Sequence, residues 1–472
     1  MNDEKTVSQI VEHHKKKEKK RSGETGITWW QLSLIGIGSI VGAGFFLGSS
    51  VAISLTGPSV ILAFSIAGLI SYITFSSLAE MKINDPETGS FRNYARKALG
   101  DNIGFISGWM FWIAGVLIMS SEVTALSLFS RYWFPQIPLW AFSFIYSCLG
   151  LGINLLGVKD FGETESFFAI VKIAALVSFI IFGLLFILGY VSPKGSVSGA
   201  SVISLSALNW FPNGIKGLWS SLIFALFPFA GVAVVGAASK ELKKNKSFTK
   251  AINALMLALT FLYITSIVLI LKMVSWSQIQ VSKSPFITAL SEFHIPYLSS
   301  IFNIIIVSAA FSTFVGALFA ITNVLLSLAN DHEAPKIALR KNKRGVNVIA
   351  LLIGTSGLLV TIILSFVLPD TLYEYLATSA GVLLITNWII ILASQIKNRK
   401  YYPIKSTSEG KQFKMFFAPY SSYLGILLIL LTLIGVTFNP THRIGLFVGI
   451  GIIVIISIAS IKAKSIKRMK NK

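Results

Sequence analysis

Residues 36–46 read Gly-Ile-Gly-Ser-Ile-Val-Gly-Ala-Gly-Phe-Phe, placing Gly36, Gly38, Gly42 and Gly44 inside an apolar run from about 35 to 55. Glycine in a helix interior costs about 1 kcal/mol relative to alanine, yet the flanks are too hydrophobic for a surface loop. A helix that comes apart near Ser39–Ala43 leaves free N–H and C=O groups at mid-membrane, where irregular backbone is tolerated only beside a cavity. The half-helix starting near Gly42 would turn its N–H groups and positive dipole end toward an anion. The half ending near Ser39 would offer carbonyls to a cation. One break can thus hold a carboxylate and an ammonium a few ångströms apart, which is the outline of an α-amino acid. The alternative is a helix-packing face, since Gly38 and Gly42 stand four apart in the small-xxx-small spacing.

The rest of the chain sets that stretch in a membrane. Of 472 residues, 54% are hydrophobic and only 13% charged, against about 25% charged in soluble domains; mean hydropathy is +0.72. Apolar stretches long enough to span a bilayer recur twelve times, at about 30–54, 58–81, 103–130, 137–157, 163–190, 215–239, 249–273, 297–328, 347–368, 372–396, 420–438 and 444–463. Helices are the expected spanning structure, because lipid offers the backbone no partners. The fold class expected is an all-α membrane protein.

The net charge of +21 is explained by where the cations fall. With a cytoplasmic N-terminus and twelve spans, 34 of the 41 Lys and Arg lie in cytoplasmic segments. Six lie outside (Arg131, Lys194, Lys216, Lys272, Lys283, Arg443), and Lys172 lies within a span. This positive-inside bias orients the protein in the plasma membrane with both termini cytoplasmic, and it argues against nucleic acid as the partner of the charge. The tract HHKKKEKKR at 13–21 reads as a solvated tail facing lipid headgroups. The first 28 residues are polar and the first apolar run is a full span, so a cleavable signal peptide is not expected. Cys148, the single cysteine, is expected to be a small core residue. His294, His332 and His442 stand isolated near helix ends. Neither a metal-ligand cluster nor a nucleophile triad is legible, so no cofactor and no enzymatic activity are expected.

A second interruption falls in the sixth span, FALFPFAGVAVVG at 224–236. Pro228 removes a backbone donor, and Gly231 and Gly236 weaken the helix further. A lone proline is often only a kink; two interrupted helices in corresponding positions of two five-helix halves point to a transporter with its site between inverted repeats.

Several motifs resemble one known group. Gly42-Ala43-Gly44-Phe45-Phe46-Leu47-Gly48-Ser49 is similar to the first-helix pattern G-T-G-L-F-L-G-S of the bacterial amino acid transporter family, within the amino acid–polyamine–organocation superfamily. The run from Gly157 through Val158, Lys159, Asp160, Phe161, Gly162, Glu163 and Thr164 to Glu165 resembles that family's G-x-K-x-F-G-E-x-E. Ser121-Glu122-Val123-Thr124-Ala125 is similar to its A-E-L-T-A, and Ala334-Pro335-Lys336 with Asn342-Lys343-Arg344-Gly345 to its loop after helix 8. The resemblance implies a five-plus-five inverted repeat with broken helices 1 and 6, followed by two extra helices. The first repeat would cover 29–190 and the second 215–397, with the extra pair at 419–463 and basic tails at 1–28 and 464–472. It further implies secondary transport of amino acids, usually with protons. Carried over by position, Ile40, Gly42, Ala43 and Gly44 would bind the substrate backbone, and Phe227, Phe229, Ala230 and Gly231 would form the other half of the site, with Phe227 as an aromatic gate. Two departures stand out. Ala233 replaces a carboxylate of the family's G-I-E-L-V-G, and Ser312-Thr313-Phe314-Val315-Gly316 replaces S-A-G-N-S. Both make the centre less polar.

Charges inside the membrane are functional candidates by default. Lys172, in FFAIVKIAALV, lies about 13 Å past the helix start near Glu163 at about 1.5 Å per residue. It is expected to bridge to the carbonyls of broken helix 1 and the hydroxyl of Ser312, either exchanging a proton during the cycle or standing as a fixed structural cation. Glu122 is either a proton acceptor or a partner of Arg131 near the outer surface. Glu80 is read as a structural residue at the cytoplasmic face, Glu163 and Glu165 as partners of basic loops or helix caps, and Trp109 and Trp112 as packing residues. With no carboxylate in the sixth-span core and no arginine inside a span, a neutral amino acid is the favoured substrate. The function expected is proton-coupled import of neutral amino acids. Exchange of amino acids, sodium coupling through Ser312 and Thr313, and a non-transporting receptor are the alternatives, and no protein partner is evident.

Overall fold

The computed structural model describes residues 27–85, 90–156, 161–192, 209–231, 242, 247–342, 344–401 and 413–470, with side chains left aside at 161–166, 401 and 463–470. Among the described residues every extended element is a helix; Ile27 and Leu242 form an isolated bridge.

The first span is split. Helix α1 (Trp29–Ile40) opens on a capping box, in which the Thr28 N–H donates to Gln31 Oε1 at 2.8 Å. It ends at Val41, and the chain resumes as α2 (Ala43–Phe46) and α3 (Gly48–Thr56). Gly57, at φ +64°, turns the chain through a single 3₁₀ turn into α4 (Val60–Asn84). A short amphipathic helix α5 (Phe91–Leu99) follows, capped by Ser90 and carrying Arg96 and Lys97 in its last turn, where cations complement the dipole. Then come α6 (Asp101–Ser130), α7 (Leu139–Leu156) and α8 (Phe161–Ile187). Helix α9 (Gly214–Leu226) runs into a 3₁₀ turn at Phe227–Phe229. The second half of this span, including Ala233 and Gly236, lies outside the described residues. The chain continues through α10 (Ser247–Met273), the short α11 (Pro285–Ser291), α12 (Leu298–Asn330), α13 (Val348–Val367), α14 (Leu372–Tyr401), α15 (Tyr420–Val436) and α16 (Pro440–Lys470).

Nine stretches of the described residues are long and apolar enough to cross a membrane; Gly214–Phe229 and Tyr420–Val436 are shorter apolar helices. Among the described residues, each of the twelve stretches read from hydropathy overlaps helix, the sixth only in its first half. The last differs most in length: α16 runs on to Lys470, through residues expected as a tail, because its basic residues are compatible with helix once the apolar part has nucleated it.

Packing arranges these helices in two groups. Helix α4 contacts α3, α9 and α10, and α3 contacts α9, with α1 on α10, while α6 and α7 pack with α12 and α13. Helix α8 joins the groups through α1, α10 and α12, and α14 joins them through α4 and α6. The helix break lies between the groups.

Helix ends on one side of the bundle are tied by ions. Arg92 on α5 is buried and pairs with Asp331 and Glu333 beyond α12, and Arg96 also binds Glu333. Glu80, at the end of α4, accepts from Gln395 Nε2 at 2.8 Å, Arg399 Nη2 at 2.8 Å and the Met415 N–H at 2.6 Å. Its expected structural role thus has a concrete form, a lock between α4, α14 and the loop before α15. Trp109 packs edge-on against Trp112 and donates to the Glu333 carbonyl. Two expectations are corrected. Cys148 is exposed on α7 rather than in the core, on the face of that helix that also exposes Phe144, Ile145 and Leu149. His442 is not isolated: it is fully buried, with Nε2 2.9 Å from Glu374 Oε2, a pairing between residues 68 apart that local spacing could not reveal.

Candidate functional site

The break falls at Val41–Gly42, inside the window the glycines mark. Both residues are extended, and the Val41 N–H still donates to Ile37. The glycines divide the two readings between them. A Cβ at Gly38 would lie 2.1 Å from Ala169 Cβ on α8, so Gly38 is a packing contact between backbones. A Cβ at Gly42 would lie 2.7 Å from Thr313 Oγ1 and 2.9 Å from Glu122 Oε1. Gly42 is therefore the point where polar groups from two other helices converge on the opened backbone.

The freed backbone groups are answered by side chains. On the carbonyl side, Lys172 Nζ donates to the Gly38 carbonyl at 2.6 Å and to Thr313 Oγ1 at 2.9 Å. The Thr313 hydroxyl lies 3.2 Å from the Val41 carbonyl and 3.1 Å from that of Ala309. Lys172 is fully buried, and the close α1–α8 approach at Gly38 and Ala169 is what lets it reach, three residues further along α8. On the N–H side, Ala43 donates to Glu122 Oε2 at 3.0 Å. Glu122 is buried on α6 and its carboxylate faces the break. Its negative charge sits at the positive end of the resumed helix. Tyr373 on α14 donates to the Ala43 carbonyl at 3.3 Å.

The turn that ends α9 closes on the break. Ring carbons of Phe227 lie 3.1 and 3.3 Å from where a Gly44 Cβ would be, and Ile40 lies 2.3 Å from the corresponding point on Gly231. Phe227 and Phe229 are buried, with Ala230 and Gly231 partly so. Tyr263 on α10 donates to the Pro228 carbonyl at 3.3 Å and stacks on Phe45 with centroids 3.8 Å apart. Phe286 of α11 fits edge-on against Phe45, Phe46 and Phe179.

The structure therefore brings together Ile40, Gly42, Ala43, Gly44, Phe227, Gly231, Lys172 and Glu122. Ser312 is buried beside Thr313 on α12, and Thr313 supplies the hydroxyl contact to Lys172 described here. Tyr263 and Tyr373 were missed. A tyrosine in an apolar span must place its hydroxyl on a partner, and that need was the available signal. Glu163 and Glu165 fall among the side chains left aside.

Substituting Gly42 with alanine is expected to reduce uptake roughly tenfold or more, with the protein still inserted in the membrane. Overpacking of this kind costs about 1–3 kcal/mol, and here the methyl meets the two groups that hold the break. Uptake by whole cells, normalised to the protein in their membranes, measures it.

A broken first span facing the 3₁₀ turn that ends α9, inside an all-α bundle of apolar helices, is the arrangement of a membrane transporter of small molecules. The chain belongs to the amino acid permease family, whose model matches residues 31–471. It is 40% identical to the uncharacterized transporter YcgH of Bacillus subtilis over 94% of this chain and 96% of that one. It is 31% identical to the gamma-aminobutyric acid permease of the same organism, covering 87% of each chain. It is also 31% identical to the L-asparagine permease of Escherichia coli, over 90% of this chain and 86% of that one.

Proposed function

We propose that this permease imports neutral amino acids across the plasma membrane together with protons, with both termini cytoplasmic and the site between two inverted five-helix repeats. One observation carries the coupling: Glu122 already occupies the Ala43 N–H, the group a substrate carboxylate needs. Two carboxylates cannot both stay ionised at one such point. Protonation of Glu122 releases the helix end to the substrate, and departure of the substrate returns the carboxylate. Ile40, Gly42, Ala43 and Gly44 bind the substrate's carboxylate and ammonium, and Phe227, Phe229, Ala230 and Gly231 close over it.

Lys172, with Thr313 and the neighbouring Ser312, holds the carbonyl half of the break and fills with an ammonium the place a metal cation would take, which argues against sodium coupling. Neutral substrates are supported by the lining: Phe227, Phe229, Ala230 and Gly231 offer no charged group to a substrate side chain. Two relatives are named for γ-aminobutyric acid and asparagine, molecules without net charge.

The test is uptake of labelled neutral amino acids into proteoliposomes under an inward proton gradient. Concentrative uptake that collapses with a protonophore is the expected result. Uptake that needs preloaded internal amino acid and ignores the gradient would replace symport with exchange, and binding without uptake would make the chain a receptor.

A further inference from the structure

A groove of about 490 Å³ opens at the cytoplasmic ends of α14 and α15, lined by Ile396, Lys397, Arg399, Lys400, Pro419 and Tyr423. It lies far along α14 from the helix break, and the transport site does not use it. Among the described residues, its lining holds three cations and no acidic side chain. Arg399 is turned inward, donating to Glu80 and to the Ala418 carbonyl at 2.7 Å, whereas Lys397 and Lys400 are exposed, one turn apart on one face of α14.

Beside the groove, Phe416, Phe417 and Tyr420 are exposed by 81%, 69% and 71%. Aromatic residues so exposed at the end of a spanning helix mark the headgroup level. From Tyr423 the outer face of α15 continues as Leu427, Leu430 and Ile434, each about half exposed and spaced on one helical stripe. A basic recess at headgroup depth thus leads into an apolar track running toward the bilayer centre.

We propose that this groove binds one anionic phospholipid. Lys397 and Lys400 take the phosphate, Tyr423 lies against the glycerol region, and the acyl chains follow Leu427, Leu430 and Ile434. The apolar track selects a lipid over free phosphate, which would use the cations alone. The cations select an anionic headgroup over a zwitterionic one, whose own ammonium Lys397 and Lys400 would repel. The lipid phosphate would sit beside Arg399, and so beside the lock between α4 and α14.

The full-length protein, extracted from bilayers of mixed phosphatidylglycerol and phosphatidylcholine, is examined by native mass spectrometry. One phosphatidylglycerol is expected to be retained in preference to phosphatidylcholine. The double substitution Lys397→Gln/Lys400→Gln should lower its retention about 25-fold, at about fivefold per cation near an anionic headgroup. A charge-matched pair on the exposed cytoplasmic loop, Arg340→Gln/Lys341→Gln, should leave retention unchanged. Both variants alter exposed side chains, and an unchanged melting profile in detergent confirms that each is folded. Equal retention of the two lipids would overturn the site, as would equal loss in both variants. Displacement of phosphatidylglycerol by millimolar glycerol phosphate would overturn its assignment to a lipid.

Discussion

Replacing Glu122 with glutamine is expected to abolish concentrative uptake while leaving exchange of labelled for unlabelled substrate intact. Glutamine has the same length and keeps an oxygen to accept from the Ala43 N–H, now 3.0 Å from the carboxylate, but it cannot bind and release a proton. A cycle carrying one proton per substrate across two pH units can sustain an accumulation ratio of about a hundredfold, since each unit is worth about 1.4 kcal/mol. The variant should reach only equal concentrations on the two sides, because substrate loading no longer requires a proton. Substitution by alanine should be worse. It leaves the Ala43 N–H without a partner in a buried site, at a cost of about 1–3 kcal/mol, and should impair exchange as well. The comparison in proteoliposomes, with and without a protonophore, separates coupling from shape. Protonophore-sensitive accumulation in the glutamine variant would remove Glu122 from the coupling role.

The break itself was readable because it is a local affair. Four glycines within eleven apolar residues weaken a helix wherever it packs, and the sixth span announces its interruption through Pro228. The two senses of Gly38 and Gly42 were not separable from spacing alone, since both residues suit a packing stripe; only the neighbours, Ala169 at one and Thr313 with Glu122 at the other, tell them apart. The partners of the opened backbone were less legible because they come from distant segments. Glu122 lies 79 residues from Ala43 and Thr313 lies 141 from Lys172. A carboxylate in an apolar helix advertises that it must be satisfied, but not by what. Hydroxyls advertise less: Ser and Thr in spanning helices commonly bond their own helix four residues back, as Thr124 does to Ser120 and Ser127 to Val123, so Thr313 does not stand out. Cys148 failed for a different reason. Apolarity marks lipid-facing and core positions alike, and a helix hydrophobic all round does not say which face meets protein.

Lys172 is the residue whose loss should cost most. In Lys172→Met a side chain of similar length replaces the ammonium, so the cavity is filled while three relations are broken. The Gly38 carbonyl loses its 2.6 Å donor, Thr313 loses its 2.9 Å donor, and the Glu122 charge loses the only cation described near the break. Removing one partner from a buried charge pair typically costs about 3–5 kcal/mol, enough to reduce transport a hundredfold or more and to lower the melting temperature in detergent. Arginine is not expected to rescue: the α1 and α8 backbones are already in contact at Gly38 and Ala169, which leaves no room for a planar guanidinium. Pairing the substitution with Glu122→Gln discriminates what Lys172 is for. If its main work is to balance Glu122, neutralising both should restore part of the stability lost in the single variant, a coupling that the double-mutant cycle reads directly. If its main work is to hold the carbonyls of the opened helix, the losses will add, because Gly38 remains without its donor whatever stands at position 122. A Lys172 variant that transports with unchanged dependence on the proton gradient would exclude both the coupling role and the view that the ammonium secures the break.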